Sequence, residues 1–299
     1  MPTSSLRLPF PALPDALAPW RDRNGRFSPL RAVVLAALLA PAVWLVYRAA
    51  SGDLGPRPIT EALRFAGDRA IETLIVTIAI TPLRKLSGWS KLIGVRRMIG
   101  LTAFFWTATH FGLYALDNGF APAKIATEIV LRPYLLLGFV AFCGLAALAA
   151  TSTDGMIRRL GGPTWGRLHG LVHPIVIMGL VHLFLQVRLD PATGAWLAGA
   201  AIGGLAIRVL LARAGGVGWG GVAFASAVAT LAGAAAELAW FAAKTMRPLA
   251  PIAWANFDTA FRVAPSWWAG ATVALLAGGA LLFQAWKRRE ARGARPAAR

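Results

Sequence analysis

The stretch that decides the fold class is residues 166–187, which read GRLHGLVHPIVIMGLVHLFLQV. At about 1.5 Å per residue it is long enough to cross about 30 Å of hydrocarbon. Its one formally charged side chain is Arg167, and three of the chain's four histidines lie in it: His169, His173 and His182. Ionisable groups in such a segment face a protein interior, because they are costly against lipid. The stretch therefore predicts a membrane helix within a helical bundle.

The composition of the whole chain agrees with this prediction. The 299 residues are 57% hydrophobic and 15% charged, with a mean hydropathy of +0.58, whereas a soluble domain is nearer half apolar and a quarter charged. This argues against a water-soluble enzyme. The net charge of +18 does not indicate a nucleic-acid partner, because the Lys and Arg lie between apolar segments rather than along one soluble face.

Hydropathy predicts an all-α, polytopic integral membrane bundle with about eight transmembrane helices. The predicted spans are residues 30–48, 68–84, 97–116, 129–151, 166–187, 193–212, 217–242 and 266–286. The second span has the shortest uncharged core, because Arg69 and Glu72 lie within it. The loops are too short to bury a core of their own, so any chemistry is expected inside the bundle or in a partner protein.

The distribution of charge predicts orientation and domains. Most of the 31 Lys and Arg fall on one side of the predicted bundle, and positive residues stay cytoplasmic, so both termini are expected in the cytoplasm. Residues 1–29 lack a signal-peptide pattern and are expected to form a cytoplasmic tail. Residues 30–212 form the main transmembrane domain, and residues 213–299 form an accessory pair of helices with a basic cytoplasmic tail. That tail, from Lys287, is expected to lie against anionic membrane lipid.

The histidines are the candidate functional residues, and all four fall within predicted spans. His110 and His182 lie in two spans that run in the same direction, at depths that differ by only about 5 Å. Neutral imidazole is a common axial ligand of haem iron, so the two could hold one haem b between neighbouring helices. The alternative is that each buried histidine only hydrogen-bonds a backbone carbonyl.

A second, deeper site is less complete. His169 lies about 20 Å nearer the cytoplasm than His182 along the same span, and His173, one turn from His169, is an alternative ligand. Arg97, preceded by Arg96, stands where a symmetric two-haem design would place a histidine. Arginine pairs well with haem propionates or a flavin phosphate. The alternative is that both arginines only anchor the helix on its cytoplasmic side.

Several short motifs follow one another in order between residues 30 and 212. They are Thr81-Pro82-Leu83-Arg84, Arg96-Arg97-Met98-Ile99-Gly100-Leu101, Thr109-His110 with Tyr114-Ala115-Leu116, Arg132-Pro133-Tyr134-Leu135, Thr151-Ser152-Thr153 and Trp165-Gly166-Arg167-Leu168-His169. Together they resemble the MsrQ (YedZ) family, the haem-binding membrane subunits of bacterial periplasmic methionine-sulfoxide reductase systems. More broadly, they resemble the ferric-reductase-like transmembrane group.

The resemblance implies a cytochrome b of the bacterial inner membrane that also associates with FMN. Such a protein is a redox subunit without a substrate-transforming site of its own. It takes electrons from the quinone pool, or from a cytosolic flavin reductase. It delivers them to a periplasmic molybdopterin-containing catalytic subunit (MsrP-like), which reduces methionine sulfoxide in oxidised envelope proteins.

The resemblance also implies roles for particular residues. The axial ligands of the family map onto His110, His169 and His182. If flavin is bound, candidates for its phosphate, or for haem propionates, are the cytoplasmic residues Arg84, Arg96, Arg97 and Arg158.

Two features depart from the family pattern. His173 stands where relatives can have tyrosine, and residues 217–299 add two spans to the usual six. Two other classes of function stay open. One is a stand-alone ferric-reductase-like cytochrome b that passes electrons to external iron or oxygen. The other is a non-redox transporter whose histidines relay protons or bind a metal.

Overall fold

The computed structural model describes residues 18–22, 24–260 and 262–293. Residues 1–17 of the predicted N-terminal tail and the last six residues of the predicted basic tail lie outside this part. The described residues form helices joined by turns, and their one β-type pairing is an isolated antiparallel bridge between Arg21 and Phe27. The prediction of an all-α fold is confirmed.

Twelve α-helices follow one another along the described residues. They are α1 (Pro29–Ala50), α2 (Pro58–Ser87), α3 (Ile93–Asp117), α4 (Pro122–Leu131), α5 (Pro133–Ala150), α6 (Asp154–Leu160), α7 (Gly162–Gly170), α8 (Val172–Gln186), α9 (Ala192–Ala214), α10 (Trp219–Lys244), α11 (Leu249–Ala255) and α12 (Pro265–Gly293). Proline opens helices α1, α2, α4 and α5, where its fixed φ suits the first turn and its missing N–H costs nothing.

Six helical segments of the described chain are long and apolar enough to cross a membrane, which confirms a multi-pass membrane protein. They are Pro29–Ala50, Pro133–Ala150, Gly162–Gln186, Ala192–Ala214, Trp219–Lys244 and Pro265–Arg292. Helices α2 and α3, of 30 and 25 residues, are also long enough but more polar. In α2, Arg69 and Glu72 form an ion pair of 2.5 Å within the helix. The total of eight spans and the cytoplasmic termini stay predictions.

Two predicted spans are each divided in the structure. The span predicted at 129–151 contains the end of α4 and all of α5, because the residue before Pro133 is kept out of the helical region and the proline lacks an N–H. The span predicted at 166–187 contains the end of α7 and all of α8, which meet at Leu171. Pro174, in the first turn of α8, cannot donate the helical hydrogen bond to Gly170, which accounts for this break.

Helices α2, α3, α5 and α8 enclose the first part of the core. Its buried members include Leu74 of α2, Ala103 of α3, Leu145 of α5 and Val176 of α8. The most extensive pairings here are α2 with α3 and α5 with α8. Helix α1 lies outside this core, since none of its residues is buried. The four helices therefore form the framework around the predicted ligand histidines.

Helices α9, α10 and α12 form a second, tightly packed part of the core. A Cβ atom added at Gly199 of α9 would lie 2.5 Å from the carbonyl oxygen of Ala229 on α10 and 2.7 Å from Cβ of Ala269 on α12. Such close backbone approach is possible only because the facing residues are small, which is typical of membrane helix interfaces. Helix α9 also contributes Leu197 and Ala201 to the first part of the core. The domain boundary predicted near residue 212 stays a prediction.

We expect Gly199→Ala to destabilise the protein, because its methyl group would overlap the backbone of α10. Overpacking of this kind costs about 1–3 kcal/mol, so thermal unfolding of the purified protein in detergent should begin several degrees lower. Gly204→Ala, on the same helix, is the matched control, since nothing lies within 4 Å of a Cβ added there. Equal unfolding temperatures for the two variants would contradict this account of the interface.

Candidate functional site

The structure brings His110 of α3 and His182 of α8 together inside the bundle. The centroids of their rings are 6.3 Å apart, and the ring planes are nearly perpendicular, at 88°. The two residues are 72 positions apart in the chain, so only the packing of the bundle makes them neighbours. The sequence predicted this pairing from their similar depth. Their assignment as ligands stays a prediction.

Each imidazole is oriented by one hydrogen bond to a helix backbone. His110 Nδ1 is 2.8 Å from the carbonyl oxygen of Leu63, and His182 Nδ1 is 2.7 Å from that of Tyr134. A carbonyl oxygen can only accept, so Nδ1 carries the proton in both rings, and Nε2 keeps its lone pair. Among the described residues, neither Nε2 has a hydrogen-bond partner. The two interpretations offered by the sequence, carbonyl bonding and metal ligation, are therefore compatible, because they use different nitrogens.

A glycine makes room for each of these hydrogen bonds. Gly67 lies four residues after Leu63, and a Cβ atom there would be 3.0 Å from His110 Nδ1. Gly138 lies four residues after Tyr134, and a Cβ atom there would be 2.8 Å from His182 Nδ1 and Cε1. The same arrangement, a carbonyl one turn before a glycine, thus supports both rings. These glycines were not predicted from the sequence, although a glycine within a helical segment at the depth of a histidine is a signal for close approach.

The pair of histidines fits axial ligation of haem iron. Two imidazoles that ligate one metal ion from opposite sides have centroids about 6 Å apart, given a metal–nitrogen distance of about 2 Å. The observed separation agrees with this value. The N–H bond from Nδ1 to a carbonyl is the usual outer-shell contact of a ligating histidine, since it fixes the tautomer and the ring orientation. The donor chemistry and the spacing are therefore those of a bis-imidazole site.

Aromatic side chains form an apolar wall beside His110. Phe111, its neighbour on α3, stacks on Phe142 of α5 with ring centroids 5.1 Å apart. Phe104, about two turns earlier on α3, stacks on the same ring at 6.0 Å, and Phe139 lies 5.7 Å from Phe111. These partly buried rings make the interface between α3 and α5 apolar. An apolar, dry surrounding is what a macrocycle requires.

A polar cavity of about 280 Å³ lies one turn beyond the two histidines. Its lining residues are Tyr114, Asn118, Lys124, Glu128, Arg132, Tyr134, Leu135 and Gln186. Tyr114 and Gln186 follow His110 and His182 by four residues each, so the cavity begins where the two ligand helices end. Arg132 is paired with Glu128 at 2.5 Å and with the Tyr134 hydroxyl at 3.1 Å. From the sequence, only the Tyr114-Ala115-Leu116 and Arg132-Pro133-Tyr134-Leu135 motifs pointed to this region.

His169 and His173 lie away from the first pair and differ from each other. His169 Nε2 is 3.1 Å from the hydroxyl of Thr151, and its ring stacks on Trp165 with centroids 4.0 Å apart. Nδ1 of His173 donates to the carbonyl of Gly170 at 3.0 Å. Nε2 of His173 is buried and has no hydrogen-bond partner within the described residues. Of the two, His173 has the nitrogen that is free to bind a ligand.

The four arginines proposed for phosphate or propionate binding lie toward the His169 end of the bundle. Arg97 forms an ion pair with Asp154 of α6, and Arg96 and Arg97 are both within electrostatic range of His169. The Nε atom of Arg84 is buried and lacks a hydrogen-bond partner in the described part. Arg158 is exposed on α6. Arg97 precedes His110 by 13 residues, about 20 Å along α3, so none of this group is placed at the first histidine pair.

Comparison with known proteins gives a consistent set of relatives. Residues 66–180 match the family described as the ferric reductase like transmembrane component. The MsrQ haem-binding subunit of protein-methionine-sulfoxide reductase from Rhodospirillum rubrum is 42% identical over 171 residues, which cover 57% of this chain and 80% of that protein. The protein of the same name from Xanthomonas oryzae pv. oryzae is 39% identical over 193 residues, 61% of this chain and 88% of its own.

A third relative, the MsrQ subunit of Herminiimonas arsenicoxydans, is 41% identical over 154 residues, which are 51% of this chain and 71% of that protein. Each of these matches leaves more than a third of the present chain uncovered. No solved structure matches the chain.

We expect Gly138→Ala to weaken haem binding, because the methyl group would push the His182 ring out of its place. A strain of about 1–3 kcal/mol corresponds to roughly 5- to 150-fold weaker retention. The measurement is haem per chain after purification, from the absorption spectrum and a protein assay. Gly112→Ala on α3 is the control, since nothing lies within 4 Å of a Cβ added there. Full haem content in Gly138→Ala would contradict the proposed support of His182.

Proposed function

The chain belongs to the MsrQ family of haem-binding subunits of protein-methionine-sulfoxide reductase, and from this premise we propose that it is a b-type cytochrome of the inner membrane that passes electrons to a periplasmic catalytic subunit. The finer parts of the proposal are the haem ligands, the electron donor and the electron acceptor. The observation that carries it is the pair of imidazoles with tethered Nδ1 and free Nε2.

His110 and His182 would hold the haem iron from its two sides. When bound there, haem gains and loses single electrons at its iron, and with two imidazole ligands it has no open position for substrate. The protein's own contribution is to fix the two rings through the Leu63 and Tyr134 carbonyls. The stacked phenylalanines make one side of the site apolar. This arrangement suits electron transfer rather than chemistry on oxygen.

The acceptor would be a periplasmic molybdopterin-containing subunit (MsrP-like) that reduces methionine sulfoxide in envelope proteins. The polar cavity beyond the histidines supports an exit there, because it lies at the predicted periplasmic ends of α3 and α8. Lys124, an exposed cation beside it with no ion-pair partner in the described part, gives this end a charge that an acidic partner surface would recognise.

The donor would be the quinone pool or a cytosolic flavin reductase, acting at the opposite end. Support comes from the cationic group of Arg84, Arg96, Arg97 and Arg158, which lies near His169. Their guanidinium groups suit FMN phosphate or haem propionates. His173, with its free Nε2, or His169 would serve a second redox centre at this end.

A second candidate is a stand-alone ferric-reductase-like cytochrome b, and the match of residues 66–180 to that group favours it. It shares the histidine pair and differs only in the acceptor. The two candidates are therefore separated by the partner and not by the spectrum of the protein.

The proposed ligands can be tested by substitution. In His110→Ala and His182→Ala, we expect at least a tenfold loss of the low-spin b-type bands in the reduced-minus-oxidised spectrum. His182→Gly with added imidazole should recover part of that signal, because free imidazole fills the vacated place. Delivery of electrons to a purified periplasmic molybdenum subunit should fall in parallel. A colourless parent protein would refute haem binding, and full haem bands with electrons passed only to ferric iron would favour the second candidate.

The predicted orientation can be tested with reporter fusions. We expect a fluorescent protein fused after Arg299 to be fluorescent, and alkaline phosphatase fused there to be inactive, because the basic tail is predicted to be cytoplasmic. Phosphatase inserted between α10 and α12, near Asp258, should be active. The reverse pattern of reporter activity would show that the bundle has the opposite orientation in the membrane. The ends assigned to the electron donor and the electron acceptor would then be exchanged.

A further inference from the structure

The last turns of α10 reach across the bundle to the end of α8, the helix that carries His182. Nζ of Lys244 donates a hydrogen bond to the carbonyl oxygen of Leu185 at 2.9 Å. Nε1 of Trp240 donates to the carbonyl oxygen of Val187 at 3.3 Å. Both bonds join the C-terminal helices to the ligand helix.

These acceptors are carbonyls that α8 cannot satisfy itself. The last four C=O groups of a helix have no partner within the helix, unless a cap or a side chain supplies one. Helix α8 has no basic residue in its last turn, and the residue that follows it, Val187, is extended at φ −64° and ψ 128°. Lys244 thus also places a cation at the negative end of the helix dipole. The cap of α8 therefore comes from α10.

Helix α10, which carries the two donors, is held firmly in place. Trp240 is 5% exposed, and Lys244, which follows it by four residues on the same face of α10, is exposed. One turn earlier, the buried carboxylate of Glu237 is 3.4 Å from Arg262. Close packing of α10 against α9 and α12 at Gly199 and Gly233 leaves no room for it to shift. The contacts are those of a rigid element and not of a loose tail.

The capped end is close to the proposed ligand. His182 lies one turn before Leu185 and Gln186, so a displacement of this end moves its ring. The ring is already set on its other side by the Tyr134 carbonyl and Gly138 of α5. In addition, the ring of Phe184 on α8 packs against Gly194 of α9, where a Cβ atom would lie 3.0 Å away. The end of α8 is therefore held between α5 on one side and the C-terminal helices on the other.

We propose that Lys244 and Trp240 are positioning residues that hold α8 so that His182 keeps its place as an axial ligand. This assigns a role to the accessory helices, and it rests on the proposed function. Without the two bonds, the end of α8 would fray, and the His182 imidazole would no longer be held where it would ligate the iron. An external ligand could then take its position.

The experiment uses the full chain purified with its haem. In the reduced parent protein, we expect carbon monoxide to leave the absorption spectrum unchanged, because both axial positions are filled. In the double variant Lys244→Met and Trp240→Phe, we expect at least a tenfold larger fraction of carbon monoxide complex and a shifted midpoint potential. Lys244→Arg should behave as the parent, since arginine also donates to a carbonyl.

Two matched controls separate positioning from general damage. Trp196→Phe removes an indole hydrogen bond of 3.0 Å between α9 and Thr272 of α12, which does not involve the carbonyls at the end of α8. Lys287→Met removes a lysine from the end of α12. Both should bind no more carbon monoxide than the parent.

The inference is overturned if the double variant matches the parent in carbon monoxide binding and potential, or if the controls change as much. In these cases the proposed function still stands. A parent that purifies without haem overturns the proposed function and this role together.

Discussion

The structure of the site depends on one interaction, the hydrogen bond from each Nδ1–H to a helix carbonyl. It decides which nitrogen carries the proton, and so leaves the lone pair on Nε2 of each ring. The carbonyls of Leu63 and Tyr134 belong to α2 and α5, while the histidines belong to α3 and α8. Each half of the site is therefore a pair of helices, and the most extensive packing in the first part of the core joins these same pairs. A helix that rotated about its axis would lose the bond.

Small residues make these close approaches possible, and they serve two purposes. At Gly67 and Gly138 the missing side chain admits an imidazole, whereas at Gly199 and Gly233 it admits another helix backbone. In a membrane there is little hydrophobic gain from joining two helices, so shape and hydrogen bonds decide the packing. The space at Gly67 and Gly138 lets the two imidazoles reach their carbonyls. The close packing at Gly199 and Gly233 holds α10 in the position from which it contacts α8. The missing side chains of these glycines therefore specify the packing of the bundle as much as the larger side chains do.

The sequence predicts the class of the fold and the central pair of histidines, because hydropathy and depth are properties of a single helix. It misses the break at Arg132–Pro133, since hydropathy does not register the missing N–H of a proline inside an apolar run. It also misses the roles of Leu63 and Tyr134, because the carbonyl that faces an imidazole depends on the rotation of two packed helices. The pairing of Arg97 with Asp154, 57 positions apart, is unpredictable for the same reason. The local sequence pattern predicts the helices and the candidate residues, whereas the contacts between those residues depend on tertiary packing.

The cap on α8 has a consequence for biogenesis. Lys244 and Trp240 follow their acceptors by 59 and 53 positions, so a growing chain emerges from the ribosome with the histidine helix complete and its end still open. The two donors arrive only after α9 and nearly all of α10 have been synthesised and inserted. A translation product that ends before α10 would therefore carry every proposed ligand but would lack both donors to the end of α8.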